Sequence, residues 1–563
     1  MKLWLTLIIT LAMAVAAGLI SGCQPDAEKA RAVEALIEAR LEETQITGLA
    51  AAVIYQGQTL SARGYGLADK ANDTAVSADT RFQIGSTTKL FTALAVMQLV
   101  ESGQIQLDDD IRTYLPQFNP KALNSDALTV TVRDLLTHHS GIPSAYLRSF
   151  IMAEPDAELF MQTSSWLSDT YLVWEHQQVF AYCNVCFSLM GELVATVSQQ
   201  SYADYIEQHI FAPLELDESL VFGVPGVTEN TSLGYHAGEP ADPLLIKDVP
   251  AGSFLMSAND MAKFALALVR TQHGYPANDW LQTDTLDAML KQQFPGLPMN
   301  ADFKIGLGFW LNDHHGRTQV GHGGTVPPFY SELKILPESG TAVFIAANDT
   351  LGNNAVLDEL AADIFDLLLP PIENPETPAI NTATISNGDY NLGGFGLVSI
   401  NGEADNRQLA LPGMGSFSLT PNNNGWYAAD LDMELRPYTG SATETPLPIA
   451  FHGYLNGYLL GPATALETHN TSEHYQAWLG HYESDDLVES AQLYYDEERR
   501  SYRLDVSLGV LGDGLAVTLK PINDQLMQVQ GYGRNVGNVI QLDRENGEPI
   551  IRYSGITFRH KTD

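Results

Sequence analysis

The chain has 563 residues, of which 45% are hydrophobic, so it is long enough to form two or more domains with large cores. Asp and Glu outnumber Lys and Arg by 68 to 30, the formal net charge is −38, and no basic patch stands out, which argues against nucleic-acid binding. The acidic surplus is spread along the chain, as is typical of a solubilising surface.

The first residues have the composition of an export signal. Lys2 precedes an apolar run over residues 3–20, and a Ser-Gly pair stands directly before Cys23. The alternatives are a plain signal peptide and a membrane anchor, although the run is barely long enough to span a bilayer. The pattern resembles the bacterial lipobox, which implies removal of residues 1–22 and lipidation of Cys23. Because Gln24 follows, we expect an outer-membrane lipoprotein of the cell envelope, facing the periplasm and held at the membrane by its lipid.

The next segments have clear periodicity. Residues 28–42 predict an amphipathic helix, because apolar positions recur with charges between them. Residues 48–66 predict a β-hairpin that turns at Gln56-Gly57. A long apolar helix follows and stops at Gly103.

From about residue 105 to residue 300 the pattern is mostly helical, with long loops between the helices. Three successive strands follow, and a closing helix ends near Leu369. These elements predict strands at both ends of one domain with helices between them.

The last third of the chain has a different texture. Prolines are dense in residues 370–383, which predicts a linker. Residues 384–563 consist of short alternating segments and include the hairpin turn Asn546-Gly547, so they predict an all-β domain. Gly388-Asp389-Tyr390 and Gly480-His481-Tyr482 each open a series of strands, which suggests two similar small sandwiches or barrels, or two halves of one. The expected division is a signal peptide (1–22), an N-terminal domain (24–369), the linker and the β-rich domain.

Ser86-Thr87-Thr88-Lys89, at the start of the long apolar helix, is the most informative stretch. Residues three apart on a helix share a face, so Lys89 can hold or accept the proton of the Ser86 hydroxyl. A second match, Ser331-Glu332-Leu333-Lys334, lies in a predicted strand, where positions three apart point to opposite faces. From this motif alone, Ser86 could equally be a nucleophile or a simple helix N-cap.

Two further short motifs carry candidate chemistry. In Tyr182-Cys183-Asn184, a tyrosine beside a lysine is a candidate base, and the asparagine can hydrogen-bond a substrate carbonyl; the alternative is a core tyrosine at a helix start. In His322-Gly323-Gly324, glycines inside a strand mark close backbone approach, and such an edge can pair with a substrate and stabilise an oxyanion. The alternative is a glycine-rich turn.

Cys183 and Cys186 are the cysteines that remain beyond Cys23. We interpret them as two small packing residues, with a local disulfide as the alternative. A zinc site needs about four ligands, and there is no second cysteine pair. With no phosphate-cradling loop either, we expect no metal and no cofactor.

The order S-x-x-K, Y-x-N, H-x-G resembles the serine β-lactamase and penicillin-binding superfamily, and within it the class C-like serine hydrolase branch. The stretches 131–144, 250–264 and 306–310 are similar to further segments of that family, so the resemblance covers about residues 28–367. It implies an α/β (α+β) fold, with an antiparallel sheet flanked by helices beside an all-helical subdomain. The all-β C-terminal region is not covered.

The resemblance implies a catalytic role for three residues. Ser86 would be the acylated nucleophile, while Lys89 and Tyr182 would share the proton transfer. The backbone N–H groups of Ser86 and Thr325 would form the oxyanion hole.

The resemblance also implies how a substrate is held. Asn184 would bind the substrate amide, and Gly324 would lie on the substrate-binding edge. His322 stands where many β-lactamases have lysine, and would contact a substrate carboxylate or support Tyr182. Pro328 stands where the family usually has glycine, which removes a backbone donor and stiffens the loop.

We therefore expect an exported serine hydrolase that works through an acyl-enzyme on Ser86. The expected substrates are small molecules or peptides: D-amino-acid peptides, cell-wall peptides or esters. A class C-like β-lactamase is an alternative, although His322, the extra domain and the lack of a dedicated water-activating carboxylate weigh against it. The alternative from another class is a non-catalytic envelope lipoprotein that binds peptidoglycan or a partner, which would predict missing catalytic residues.

Overall fold

The computed structural model describes residues 27–561 with gaps. The gaps are at 124–128, 145, 173–176, 178–179, 276–279, 296–303, 371–386, 393–395, 403–405, 412–414, 422–425, 430–432, 437–448, 456–457, 460–461, 466–472, 487, 498–500, 508–514 and 531–536. The predicted signal segment, Cys23 and nearly all of the predicted linker lie outside the described residues.

The N-terminal domain is built on an antiparallel sheet. Its eight strands are β1 (Gly48–Tyr55), β2 (Gln58–Asp69), β3 (Thr74–Ala75), β10 (Lys304–Ile305), β11 (Trp310–His314), β12 (Arg317–Val326), β13 (Phe329–Leu336) and β14 (Thr341–Ala347). Their order across the sheet is β10-β11-β12-β13-β14-β1-β2-β3, so the first and last strands of the domain meet in the middle. The predicted hairpin is confirmed, because Gln56 and Gly57 join β1 to β2 with positive φ angles of 49° and 73°.

Helices cover both faces of this sheet. They are α1 (27–44) and α10 (Asn354–Leu368) on one face, and α2 (Thr88–Glu101) and α8 (Ala258–Gln272) on the other. Strand β1 is apolar throughout because alternate side chains enter two cores: Leu49 packs towards α1 and α10, and Ala50 towards α2 and α8. The closing helix ends at Leu368, next to its predicted end.

Helices are the main regular elements of the segment between β3 and β10, as predicted, but most of its residues lie outside them. Its further helices are α3 (Val132–Leu136), α4 (Thr163–Leu167), α5 (Asn184–Ser198), α6 (Tyr202–Ile206), α7 (Val249–Gly252) and α9 (Thr283–Leu290). It also holds three short strand pairs that periodicity did not predict: β4 (Phe82–Gln83) with β9 (Leu255–Met256), β5 (Lys121–Ala122) with β6 (Tyr171–Leu172), and β7 (Gly234–His236) with β8 (Glu239–Ala241).

Single helical turns complete the framework. The 3₁₀ turns are Gly85–Thr87, Ile111–Thr113, Leu159–Gln162, Pro337–Ser339, Thr350–Gly352 and Glu473–Trp478, and Glu207–Phe211 forms a π turn. Within the described ranges, no helix combines the length and apolar character that crossing a bilayer requires.

The C-terminal region is all-β, as predicted, and holds two separate units. The first is a ten-stranded sheet of β15 (Gly388–Leu392), β16 (Gly396–Asn401), β17 (Gln408–Leu411), β18 (Gly415–Ser418), β19 (Thr420–Pro421), β20 (Trp426–Ala428), β21 (Met433–Arg436), β22 (Ile449–Leu455), β23 (Tyr458–Leu459) and β24 (Pro462–Ala465). The second is a closed barrel of β25 (Gly480–Glu483), β26 (Ser490–Asp496), β27 (Ser501–Ser507), β28 (Leu515–Asn523), β29 (Leu526–Gln530), β30 (Val539–Glu545), β31 (Glu548–Tyr553) and β32 (Ile556–His560). The two G-x-Y segments begin β15 and β25.

The barrel closes because β32 pairs with β25, and alternate residues of each strand fill its interior, as in β27 with Leu504. Its β31–β32 turn contacts the N-terminal domain. The N–H groups of Leu147 and Arg148 donate to the Ser554 carbonyl at 3.0 and 3.1 Å. The barrel therefore packs on a loop of the helical segment.

Candidate active site

Ser86 lies in the 3₁₀ turn that leads into α2. A Cβ atom at Gly85, where φ is +52°, would come within 2.5 Å of the Thr325 nitrogen, so only glycine fits this close approach. The N-cap of α2 is Thr87, and its side chain makes no capping hydrogen bond. The N-cap interpretation of Ser86 is therefore wrong, and its hydroxyl is available to chemistry.

Lys89 is completely buried in the first turn of α2. Its Nζ donates to Ser86 Oγ at 2.9 Å and to the Ala251 carbonyl in α7 at 2.8 Å. The same Nζ lies 5.0 Å from the centre of the Tyr182 ring. An amine in this position can take up or hold the proton of the serine hydroxyl, as predicted from the helical spacing.

Tyr182 stands just before α5 and is 8% exposed. Its ring packs against His138, with centroids 4.4 Å apart, and is stacked with Trp310, with centroids 6.1 Å apart. It belongs to a small aromatic cluster with Phe180 rather than to the main core. The structure thus brings Ser86, Lys89 and Tyr182 together.

Cys183 and Cys186 form a disulfide, with Cα atoms 5.3 Å apart, so their interpretation as separate packing residues is wrong. Both are buried all the same. The Cys186 N–H donates to Cys183 Sγ at 3.1 Å, which caps α5, and the Cys183 N–H donates to His138 Nδ1 at 3.1 Å. The bridge therefore spans Asn184 and fixes the backbone that carries it.

Asn184 is the first residue of α5. Its Oδ1 atom is buried and has no hydrogen-bond partner among the residues that the structure describes. Leaving such an acceptor unpaired costs free energy, and a substrate N–H group would satisfy it. The position fits the amide-binding role that the family resemblance implies.

His322 lies within β12, so the glycine-rich turn interpretation is wrong. Burial, together with the charge of Lys89, lowers the pKa of His322 to about 3. Its ring centroid is 6.2 Å from that of Tyr182 and 5.7 Å from that of Trp310. A neutral imidazole in this cluster favours support of Tyr182, the second of its two predicted roles, over attraction of a substrate carboxylate.

The backbone of β12 lies against the turn that carries Ser86. A Cβ atom at Gly324 would come within 1.8 Å of the Ile84 carbonyl oxygen, and one at Gly85 within 2.5 Å of the Thr325 nitrogen. This packing brings the peptide of Thr325 beside Ser86, where two N–H groups can face a developing oxyanion. Glycine at both positions is what allows the approach.

Two hydroxyl groups join β13 to the turn that carries Ser86. Ser331 Oγ donates to the Ile84 carbonyl at 2.7 Å and lies 2.8 Å from Thr87 Oγ1. Lys334, three residues on, points to the other face of the sheet and pairs with Asp358 of α10. The prediction that Ser331 and Lys334 face apart is therefore confirmed.

Pro328 lies in the β12–β13 turn. A Cβ atom at Gly234 would come within 2.2 Å of the Pro328 ring, so this turn packs tightly against β7. The departure from the usual glycine thus adds a contact at the end of β12.

Sequence reasoning missed two aromatic members of the site. His138 accepts the Cys183 N–H and packs on Tyr182, and Trp310 is stacked on the same tyrosine. Both lie inside the stretches 131–144 and 306–310 that resembled the family, so a signal for them was present.

Sequence reasoning also missed Glu332, which faces α10 across from Gly323 and accepts from Asn354 Nδ2 at 2.8 Å. Burial raises the pKa of its carboxyl group to about 7. No local pattern in the sequence distinguishes this buried glutamate from a solvated one.

Comparison with known proteins agrees with this geometry. The chain is 25% identical over 327 residues to Protein flp of Staphylococcus aureus (strain MW2), an alignment that covers 56% of this chain and 62% of that protein. The chain thus spans about three fifths of the length of this relative. It is 27% identical over 350 residues to Penicillin-binding protein 4 of Amycolatopsis lactamdurans, covering 60% of this chain and 89% of that protein.

The fold has solved neighbours. A crystal structure of SurE with D-Leu superposes with a TM-score of 0.55 at 22% identity, over 78% of this chain and 97% of that chain. Residues 33–365 match the family described as Beta-lactamase, which is more than half of the sequence. With three family motifs meeting around Ser86, the chain belongs to the Beta-lactamase family, whose fold is that of serine hydrolases.

Proposed function

We propose that this protein is an exported serine hydrolase that forms an acyl-enzyme on Ser86 and acts on D-amino-acid or cell-wall peptides, or on esters. The contact that carries the proposal is the 2.9 Å hydrogen bond from Lys89 Nζ to Ser86 Oγ, beside the ring of Tyr182. The likeness to a penicillin-binding protein and to SurE with D-Leu supports the substrate class.

The chemistry proceeds in two steps. Ser86 Oγ bonds to the substrate carbonyl carbon while its proton passes to Lys89 or Tyr182, and the oxyanion is held by the N–H groups of Ser86 and Thr325. The bond from the carbonyl carbon to the leaving nitrogen or oxygen then breaks, and the leaving group takes the proton. In the second step water attacks the acyl-enzyme, its proton returns to Ser86 through the same groups, and the acid is released.

The substrate is held by β12 and α5. Pairing between β11 and β12 ends at Trp310 and Gly321, and β12 continues through Val326 beside the nucleophile. An extended peptide can bind along this continuation, with its amide at Asn184. The neutral His322 offers no positive charge here, which favours a peptidase or esterase over a β-lactamase that relies on a lysine at this position.

Mass spectrometry of soluble protein from residue 24 onward, mixed with a penicillin, tests the proposal. We expect a persistent adduct with little loss of the drug, and no adduct in the Ser86→Ala variant. Ser331→Ala, which removes the serine of the second motif match, is the matched control and should keep the adduct.

The other outcomes of the penicillin experiment discriminate between alternatives. Rapid drug loss that depends on Ser86 would show a β-lactamase and overturn the proposed substrate class. An adduct that survives in Ser86→Ala would overturn the assignment of the nucleophile. If neither adduct nor loss is seen, hydrolysis of D-amino-acid amides and esters, again compared with Ser86→Ala, decides whether the site is catalytic.

We further propose that the protein is a cell-envelope lipoprotein anchored through Cys23. The Cys183–Cys186 disulfide supports this, because such bonds persist in oxidising compartments. The test is to label cells with a fatty-acid probe and to fractionate their membranes. Label and outer-membrane recovery should both be lost in Cys23→Ser, and unchanged recovery in that variant would contradict the anchor.

A further inference from the structure

Three potential metal ligands converge at the end of the sheet away from Ser86. His314 ends β11, His315 begins the turn to β12, and Asp366 lies in the last turn of α10. The Nε2 atoms of His314 and His315 are 3.0 and 3.3 Å from the same Asp366 oxygen. All three ligand atoms lie within 4.8 Å of one another.

The backbone of the turn brings the two histidines to the same side. Neighbouring residues of a strand normally point to opposite faces. Here His315 and Gly316 have φ angles of 49° and 82°, as in a tight two-residue hairpin turn. The two imidazole rings are consequently only 4.5 Å apart between centroids. Such a turn favours asparagine, aspartate or glycine most strongly at position 315, and histidine is also found at positive φ.

We propose that His314, His315 and Asp366 bind a divalent transition-metal ion of the zinc class. Tetrahedral zinc with bonds of about 2.0–2.2 Å sets neighbouring ligand atoms roughly 3.3 Å apart, close to the two observed nitrogen–oxygen distances. Imidazole and carboxylate ligands suit zinc, copper and nickel. Three protein ligands leave a further position for water.

One of the three ligands is buried and two are exposed, so the site is fixed in the fold and an ion can reach it from solvent. The His314 side chain is 9% exposed, whereas those of His315 and Asp366 are 58% and 54% exposed. The nearby Lys334 is paired with Asp358, so its charge is compensated.

The ion would join the β11–β12 hairpin to α10. Arg317 of β12 already contacts the segment just after α10, since its guanidinium donates to the Pro370 carbonyl at 2.6 Å. Strand β11 carries Trp310 and β12 carries His322, so the hairpin is the support of one wall of the active site. The metal ion would fix the position of the hairpin and takes no part in the reaction. The proposed metal site does not depend on the proposed function.

Calorimetric titration of the folded protein with zinc chloride, after chelator treatment and buffer exchange, tests the site. We expect one ion per chain, and at least about tenfold weaker binding in His315→Ala and in Asp366→Asn. Asp363→Asn is the matched control, because Asp363 lies one turn earlier on α10 and pairs with Arg40 instead. This control should bind zinc like the parent protein.

Thermal unfolding gives a second readout that does not involve activity. Zinc should raise the melting temperature of the parent protein and of Asp363→Asn, but not that of His315→Ala. Both substituted ligands are exposed, so the variants should fold. The proposal is overturned if no binding occurs below about 100 μM zinc, or if His315→Ala and Asp366→Asn bind it as tightly as the parent protein.

Discussion

The two S-x-x-K matches of this chain have the same local pattern and opposite outcomes. In the first, Ser86 and Lys89 lie in one helical turn and are 2.9 Å apart. In the second, Ser331 and Lys334 lie in β13, where the serine faces the turn that carries Ser86 and the lysine pairs with Asp358 on the other face. The difference shows that the period of the backbone, rather than the motif letters, makes a lysine the partner of a serine.

The serine of the second match nevertheless stabilises the turn that holds the first match. Ser331 Oγ donates to the Ile84 carbonyl two residues before Ser86 and contacts the Thr87 hydroxyl just after it. The serine of the second match therefore acts as a brace for the turn that carries the proposed nucleophile.

The largest difference between the two matches should appear in the acylation rate when the lysine of each match is replaced. We expect Lys89→Met to slow formation of the penicillin adduct by roughly a thousandfold, because it removes the proton acceptor of Ser86. Lys334→Met should leave the rate within about threefold, since Lys334 faces α10. Adduct formation followed by mass spectrometry, with circular dichroism to confirm folding, measures both. Similar losses in the two variants would refute the contrast.

The Cys183–Cys186 disulfide constrains the backbone around Asn184, beside the first match, and the second match has no such constraint. Replacing both Cys183 and Cys186 by alanine should lower the free energy of unfolding by about 2 kcal/mol, as expected for a short closed loop. It should also slow acylation, because Tyr182 and Asn184 lose their shared anchor. Urea unfolding and adduct formation measure the two effects.

Ser140→Ala is the control for the disulfide. It removes the 3.3 Å contact between Ser140 Oγ and Cys186 Sγ without breaking the bridge. We expect the acylation rate of this control to stay near that of the parent protein. If the double alanine variant behaves like Ser140→Ala in both measurements, the bridge does not position the site.

Glu332 of the second match and His322 beside Tyr182 make the free energy of unfolding depend on pH in opposite directions. Burial raises the pKa of Glu332 from 4.5 to about 7 and lowers that of His322 from 6.5 to about 3. Glu332 adds stability that is present below pH 4.5 and is lost as the pH rises through 7. His322 adds stability that is present above pH 6.5 and is lost as the pH falls through 3.

Between pH 4.5 and 6.5 these two contributions oppose each other, so Glu332→Gln should expose that of His322. Relative to the parent protein, the free energy of unfolding of this variant should fall by about 1.4 kcal/mol more for each pH unit of acidification. His322→Asn should show the reverse slope. Urea unfolding across this window measures both, and parallel profiles for all three proteins would contradict the assignment.

Removing the hydroxyl groups of Thr87 and Ser331 should have the smallest effect, a modest loss in the free energy of unfolding. Thr87→Val and Ser331→Ala should each lower the free energy of unfolding by about 1 kcal/mol, because each removes a buried hydroxyl bond. Their effects should not add, and a coupling of at least about 0.5 kcal/mol is expected for residues in one network. A double-mutant cycle by urea unfolding measures it, and strict additivity would show that the two hydroxyls act independently.

Local pattern predicted much of the N-terminal domain. Period-two and helical spacing placed the hairpin at Gln56-Gly57, the Ser86 helix and the closing helix, because each is fixed by neighbours in sequence. Turn chemistry likewise placed Asn546-Gly547, whose φ angles of 55° and 90° suit a tight hairpin.

The failures share one physical cause. The disulfide, the loss of the N-cap role for Ser86, the buried Glu332 and the His314–His315–Asp366 cluster all depend on where distant segments come to rest. Burial in particular is invisible in a single chain, since the same glutamate is solvated on one face of a strand and enclosed on the other.

By itself, the sequence determined the backbone period around Ser86 and Lys89, and with it the partnership of hydroxyl and amine, because residues three apart on a helix must share a face. It also determined the motif order that identifies the family. Only the tertiary structure decided that Tyr182, His322 and Thr325 surround that pair, because strands and helices far apart in the chain are brought together by burying their apolar faces.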